Sequence, residues 1–204
     1  CSSTGDIGKG ESFHEEIVNM GLQKDIVLGN ALVDMYAKCG FLEKAHKTLK
    51  ELPNRNIVTW SALITGYAQH GQGHEALNCF NQMQNEGLAP DIVTFICVLK
   101  CCGNITALEK GEQIHYEILS KGLLKKNTVL GTSLIDMYAK CGVLTKAKDV
   151  LEEILVRDVI SWNAMISAYA QHRQGHEALN CFQRMESEGF APDVVTFICI
   201  LMAC

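Results

Sequence analysis

Apolar residues recur along this chain at helical spacing, in pairs of stripes that glycines separate. In the clearest segment, the first stripe consists of Trp60, Leu63, Ile64, Tyr67 and Ala68. This i, i+3, i+4, i+7 pattern predicts an amphipathic helix. Gly71 and Gly73 interrupt it, and a second stripe follows and ends at Gly87, a residue typical of helix C-termini. The segment therefore predicts a helical hairpin, and no strand pattern occurs elsewhere in the chain.

The same hairpin recurs 102 residues later, since residues 57–91 and 159–193 are identical at 22 of 35 positions. The intervening hairpins have other lengths, 31 residues at 26–56 and 128–158 and 36 residues at 92–127. The predicted units are a partial long repeat at 1–25, a short repeat at 26–56, a standard repeat at 57–91, a long repeat at 92–127, a short repeat at 128–158, a standard repeat at 159–193 and a partial long repeat at 194–204. Such an array predicts an all-α solenoid of antiparallel helical hairpins.

The composition argues against a membrane location, disulfide bonds and nonspecific nucleic-acid binding. The longest apolar stretches, such as residues 93–99, fall short of the roughly 20 residues that cross a bilayer, so no membrane is expected. A net charge of −5 argues against broad nonspecific nucleic-acid binding. Eight of the ten cysteines recur as pairs at the 102-residue offset, which favours buried free thiols in a reducing compartment over disulfides. Because both ends fall inside repeats, we expect a segment of a longer protein.

Three motifs and the unequal unit lengths resemble the plant PLS-type pentatricopeptide repeat proteins. The motifs are Val-Thr-Trp-Ser-Ala-Leu-Ile ending at Ile64, Asp-Met-Tyr-Ala-Lys-Cys-Gly ending at Gly40, and Gly-Leu-Ala-Pro-Asp ending at Asp91. A tetratricopeptide array is the alternative, but its strict period of about 34 residues is absent. The resemblance covers the whole chain. It implies a right-handed α-solenoid that binds single-stranded RNA in mitochondria or plastids, about one base per repeat.

The resemblance also implies a biological role. The chain would act in organellar RNA processing as the recognition part of a C-to-U RNA editing factor, with any deaminase domain elsewhere in the full-length protein. No enzyme activity, cofactor or metal is expected in this chain. We expect a monomer whose partners are single-stranded RNA and other organellar RNA-processing or editing proteins. A protein-interaction scaffold of tetratricopeptide-like type is the second hypothesis.

Base contacts transfer from the family residue by residue. There, the fifth and last residues of a motif read one base edge, and the apolar second residue packs on the base face. The reading pairs are Asn30 with Asn56 for a pyrimidine, Ser61 with Asp91 for guanine, Thr132 with Asp158 for guanine, and Asn163 with Asp193 for uracil; the base-packing residues are Val27, Val58, Val129 and Ile160. In the long units, Ile96 and Ile198 cannot hydrogen-bond a base, so none is assigned. The expected register is 5′-Y-G-N-G-U-3′.

Each of these assignments has a structural alternative. The fifth residues lie near helix starts, where short polar side chains also act as caps. Asp91 and Asp193 follow proline and suit simple turns. Lys38 and Lys140 suit either an RNA phosphate contact or the end of a helix, where a cation is favourable anyway.

Other candidate residues favour structural roles. Trp60 and Trp162 fall on a packing stripe, which favours the core over stacking on RNA. The pairs His74-Glu75 and His176-Glu177 resemble parts of zinc sites, but the chain lacks the second histidine or the Cys-x-x-Cys that such sites need. Their recurrence favours the start of a helix over a metal site.

Overall fold

The protein is described by a computed structural model that covers residues 7–203 and consists there of α-helices and one short 3-10 turn, without strands. The helices are α1 (Ile7–Asn19), α2 (Ile26–Lys38), α3 (Leu42–Glu51), α4 (Ile57–Gln69), α5 (Gly73–Asn85), α6 (Ile92–Asn104), α7 (Leu108–Ser120), α8 (Thr128–Lys140), α9 (Leu144–Glu153), α10 (Val159–Gln171), α11 (Gly175–Ser187) and α12 (Val194–Ala203). The predicted all-α fold is confirmed. The first six residues of the predicted partial long repeat, and Cys204 at the end of the last one, lie outside the described residues.

Side-chain caps fix where the first helix of each hairpin begins. The Asp25 carboxylate accepts hydrogen bonds from the Val27 and Leu28 backbone N–H groups, both at 2.9 Å. Asn56 and Asp158 form capping boxes, and Asn127 accepts from the Leu130 N–H. Because these caps satisfy N–H groups that lack intrahelical partners, they set the first residues of these helices, such as Ile26 in α2.

The turns inside the hairpins use left-handed backbone. Gly71, between α4 and α5, has a φ of 73°, which glycine adopts without steric cost. At the equivalent place between α10 and α11, Arg173 has a φ of 58°. A side chain there costs about 1–2 kcal/mol, so this turn of the second copy is strained.

The chain divides into two compact units, Cys1–Cys101 and Cys102–Cys204. In the first, α4 packs against α2, α3 and α5. Trp60 and Phe80 are fully buried, and the Trp60 indole donates to the Glu86 carboxylate at 2.9 Å. Gly66 lets α4 approach α2 closely, because a Cβ added there would lie 2.6 Å from the Ala37 Cβ.

In the second unit, α10 packs against α8, α9, α11 and α12. Trp162 is fully buried beneath the guanidinium groups of Arg157 and Arg184, which lie 5.8 and 5.4 Å from its ring centre. Both tryptophans are therefore core residues, which confirms the packing interpretation. Each core positions the first turn of α4 or α10, where the candidate site begins.

Candidate nucleic-acid interface

The predicted base-packing residues are the second residues of their helices, and all are exposed. In the first unit, Val27 and Val58 are 70% and 59% exposed; in the second, Val129 and Ile160 are 55% and 66% exposed. A single exposed valine is ordinary, but the same helical position carries a β-branched aliphatic side chain in each of these hairpins. These side chains offer an apolar contact suited to the face of a base.

The fifth residues lie three positions further along the same helices, next to the packing residues. Asn163 is buried and the other three, Asn30, Ser61 and Thr132, are partly exposed. None of the four caps a helix, since each helix begins four residues earlier and its cap is the residue before that start. The capping alternative for these residues is therefore wrong.

The first standard unit joins its two predicted readers through a third residue. The Ser61 hydroxyl lies 2.6 Å from the Thr94 hydroxyl, which donates to the Asp91 carboxylate at 2.7 Å. Asp91 also accepts from the Thr94 backbone N–H at 2.8 Å. Since a carboxylate only accepts and Thr94 has one hydroxyl proton, the Ser61 hydroxyl must be the donor to Thr94. Its lone pairs are therefore left to accept from a ligand.

The second standard unit joins its readers directly. The Asn163 amide nitrogen donates to Asp193 Oδ1 at 2.9 Å, and the Asn163 oxygen accepts from the Thr196 hydroxyl at 2.6 Å. The Thr196 backbone N–H and the Asn163 amide hold the pKa of Asp193 below its usual range. A charged carboxylate repels an amide oxygen, so Asp193 fixes which way the Asn163 amide points. One N–H and one oxygen lone pair remain for a ligand.

Asp91 and Asp193 cap helices and also contact the networks around the predicted readers. The backbone N–H groups of Thr94 and Thr196 donate to their Oδ1 atoms at 2.8 and 2.9 Å, which caps α6 and α12. The same oxygens hold the networks around the fifth residues. Turn formation and orientation of the predicted readers are therefore compatible.

The short units lack such networks. The Thr132 hydroxyl donates to the Val129 carbonyl at 2.9 Å, and within residues 7–203 the predicted partner Asp158 is engaged instead in its own capping box with Ser161. The oxygen of Asn30 is buried without a hydrogen-bond partner. A buried polar atom without a partner is unfavourable, so this amide is left with an unmet hydrogen bond.

Lys38 and Lys140 end their helices in ion pairs. Lys38 contacts Asp34, and Lys140 contacts Asp136, each at 2.7 Å with the partner one helical turn earlier. All four side chains remain substantially exposed. A phosphate contact at these lysines would compete with an aspartate, and it remains a prediction.

The long units have an exposed aliphatic second residue, as the other units do, but their fifth residue is not polar. Val93 and Val195 are the second residues of α6 and α12 and are 55% and 51% exposed. Ile96 and Ile198 occupy the fifth positions, as the sequence indicated. These units present aliphatic surface only at the positions where other units present a polar group.

Sequence reasoning missed Thr94 and Thr196, the fully buried residues that complete the two networks. A signal was present, because Asp91-Ile-Val-Thr94 and Asp193-Val-Val-Thr196 place a hydroxyl three residues after a capping carboxylate. That spacing is a capping motif. It predicts the contact of each threonine with its aspartate, but not the contact with Ser61 or Asn163.

Within residues 7–203, the cysteines and histidines show no reactive arrangement. The eight cysteines in this range form no disulfide, and burial raises the pKa of the Cys79 and Cys181 thiols to about 12. His74 and His176 are exposed in the first turns of α5 and α11, which confirms the helix starts predicted for them. Between residues 7 and 203, no group of three His, Cys, Asp or Glu side chains is placed to hold a metal. No helix in that range combines the length and apolar character needed to span a membrane.

Family comparisons agree with this architecture. A model described as the PPR repeat family matches residues 55–104 and 157–204, and one described as PPR repeat matches residues 30–57 and 132–159. A putative pentatricopeptide repeat-containing protein of Arabidopsis thaliana is 41% identical over 98% of this chain and 33% of its own length. Two other Arabidopsis relatives, 37% and 34% identical, are named as mitochondrial and chloroplastic. The chain spans about a third or less of the length of these relatives.

Solved structures show the same fold. The pentatricopeptide repeat protein PPR10 from maize matches 99% of this chain and 29% of its own chain, with a TM-score of 0.79 at 17% identity. The same protein in complex with an 18-nt psaJ RNA element matches with a TM-score of 0.74. The chain therefore has the helical-repeat fold of these structures.

Proposed function

Because the chain belongs to the pentatricopeptide repeat family, we propose that it is a sequence-specific, single-stranded RNA-binding module of the PLS type. The observation that carries this proposal is the pair of hydrogen-bonded networks, Ser61–Thr94–Asp91 and Asn163–Asp193–Thr196. Each fixes a polar group beside an exposed aliphatic side chain. A base needs both contacts, one for its edge and one for its face. The complex of the maize relative with RNA supports this class of ligand.

Hydrogen-bond polarity supports the proposed bases. The protons of Ser61 and Thr132 are committed to Thr94 and to the Val129 carbonyl, so both hydroxyls present acceptors. Guanine offers N–H donors from N1 and N2 on its Watson–Crick edge, which acceptors can bind. Adenine has an acceptor at N1 and no amino group at C2, and its Watson–Crick donor is the N6 amino group, so an acceptor placed opposite N1 and N2 loses its contacts.

Asn163 supports a different base. Its oriented amide retains one donor and one acceptor, which complement the O4 acceptor and N3–H donor of uracil. Asn30 with Asn56 is proposed for a pyrimidine. The complete units then read 5′-Y-G-N-G-U-3′, with no base assigned to the long unit.

The negative net charge is compatible with this mode of binding. Hydrogen bonds to base edges and aliphatic contacts with base faces do not require a basic surface. The predicted phosphate contacts at Lys38 and Lys140 would add a modest term, because each lysine must leave an aspartate. We therefore expect affinity that depends on sequence more than on salt.

The cellular location is proposed from the names of two relatives. Their names place one in mitochondria and one in chloroplasts, which supports a role in organellar RNA processing. We propose that the module is the recognition part of a C-to-U RNA editing factor, with no reaction assigned to residues 7–203. Other editing or processing proteins would then be its partners.

Fluorescence anisotropy with labelled RNA tests the proposal. The purified chain is titrated with RNA containing U-G-A-G-U and with versions in which the first or second guanine is adenine, at one fixed salt concentration. We expect each change to weaken binding at least about fivefold, the lower end of what one base contact contributes. Equal affinity for all three RNAs would contradict base reading. No affinity for any RNA would instead favour the protein-interaction scaffold.

A further inference from the structure

We infer that Thr94 is a positioning residue that makes Ser61 selective for guanine. This inference rests on the proposed function and deepens it, because it adds to the reading pair a residue from the following hairpin. Ser61 and Asp91 share no direct hydrogen bond; the Thr94 hydroxyl stands between them, 2.6 Å from one and 2.7 Å from the other. The carboxylate therefore acts on the reader only through Thr94.

Burial gives this arrangement its direction. Thr94 is fully buried, so its hydroxyl has no water to bond. The hydroxyl therefore donates its hydrogen bond to the Asp91 carboxylate, the strongest acceptor in reach. The Thr94 oxygen must then accept from Ser61. This chain of two hydrogen bonds removes the Ser61 proton from the surface that would face RNA. A serine without it could offer either a donor or an acceptor, and would accept adenine as well as guanine.

The second copy provides an internal contrast. Asn163 reaches Asp193 directly at 2.9 Å, so the carboxylate orients its amide without help. The Thr196 hydroxyl contacts both the amide oxygen, at 2.6 Å, and Asp193 Oδ1, at 2.9 Å. Thr94 and Thr196 occupy equivalent positions and are equally buried, but only in the first copy does the threonine hydroxyl provide the link between the reader and its aspartate.

In the short units, no hydroxyl of the following hairpin links the predicted reader to its partner. The equivalent hydroxyls, Thr59 and Ser161, bond to their own caps Asn56 and Asp158. The Thr132 hydroxyl is held by its own helix at Val129. Guanine recognition at Thr132 therefore does not depend on the next hairpin, which makes that site a control within the same molecule.

The test compares Thr94→Val and Thr94→Ser with the parent chain. Valine keeps the volume of threonine and the backbone N–H that bonds Asp91, but removes the hydroxyl. Binding is measured by anisotropy to RNA carrying guanine or adenine at the Ser61 base and at the Thr132 base, and uracil or cytosine at the Asn163 base. Circular dichroism checks that each variant is folded.

We expect Thr94→Val to bring the guanine-to-adenine affinity ratio at the Ser61 base to within about twofold, from about fivefold or more in the parent chain. Thr94→Ser should keep the parent ratio, because it restores the hydroxyl. The ratio at the Thr132 base and the uracil preference at the Asn163 base should stay unchanged in Thr94→Val. A parent-like ratio at the Ser61 base in Thr94→Val, or an equal loss at both guanine sites, would overturn the inference.

A measurement without RNA separates this inference from the proposed function. A buried hydroxyl in two short hydrogen bonds exchanges slowly with water, so NMR should detect the Thr94 hydroxyl proton with a nuclear Overhauser contact to Ser61. The signal should vanish in Thr94→Val. If the signal is present and the parent chain binds no RNA, the proposed function fails while the hydrogen-bonded chain stands. If the signal is absent, the role of Thr94 is refuted even when RNA binds.

Discussion

The substitution Ser61→Asn should convert the guanine site of the first standard unit into a uracil site. The new amide would meet the partners that Asn163 meets in the second copy, namely an aspartate and a buried threonine hydroxyl. Ser61 and Asn163 occupy equivalent positions, and the oxygen of each lies 2.6 Å from the hydroxyl of the equivalent threonine. The variant would thus exchange an acceptor for a donor and acceptor pair.

The effect on stability is the balance of two opposing contributions. A new hydrogen bond from the amide to the Asp91 carboxylate contributes about 1.5–3 kcal/mol. Ordering of the longer side chain offsets this by about 1–2 kcal/mol. Stability should therefore change by no more than about 1 kcal/mol. Base preference should change more, because each mismatched edge costs about 1–3 kcal/mol, or roughly 5- to 150-fold in affinity.

The assay is competition binding with RNAs that carry guanine or uracil at the Ser61 base. We expect guanine to be preferred by the parent chain and uracil by Ser61→Asn. The reciprocal change, Asn163→Ser, is the matched control and should shift its own base from uracil to guanine. Unchanged preference in both folded variants would refute the assignment of these residues as readers.

Three further predictions concern stability and are measured by urea unfolding. Gly66→Ala should destabilise the chain by about 1 kcal/mol, because the new Cβ would lie 2.6 Å from the Ala37 Cβ. Such overpacking costs about 1–3 kcal/mol and exceeds the gain of about 0.5–1 kcal/mol from replacing a helical glycine. Adding Ala37→Gly should recover part of the loss, and a Gly66→Ala variant more stable than the parent would contradict the close approach of the two helices. Arg173→Gly should stabilise by about 0.5–1 kcal/mol by relieving positive φ, whereas no gain would mean that the turn is unstrained. Burial lowers the pKa of His115, so as pH falls below about 6.5 the unfolded chain binds a proton at this histidine before the folded chain does, and the free energy of unfolding decreases. His115→Gln should reduce the difference in the free energy of unfolding between pH 7.5 and pH 5.5. An equal loss of stability in the variant and the parent would exclude this histidine as a cause.

Much of the fold followed from periodic features of the sequence. The stripes through Trp60 and Trp162 predicted buried helices, because helical spacing places these residues on one face. The glycine at 71 predicted a turn for the same reason that it adopts positive φ. Helix boundaries were less predictable, because a side-chain cap sets them; Asp25 caps α2, which begins at Ile26.

The site was predictable in outline but not in its connections. The exposed positions of Val27, Val58, Val129 and Ile160 agree with their expected role. What the sequence left hidden is which hydrogen bonds form between hairpins. Thr94 meets Ser61 across 33 residues of chain, and the linear pattern contains no sign of such a distant contact.

Selection from a randomised RNA pool is the most direct test of the central claim that oriented side chains in successive hairpins read successive bases. The purified chain is presented with random RNA, and bound sequences are compared with the pool. We predict enrichment of 5′-Y-G-N-G-U-3′, with guanine moving to uracil at the second position when Ser61→Asn is used. Bound RNA with the base composition of the starting pool would contradict the claim.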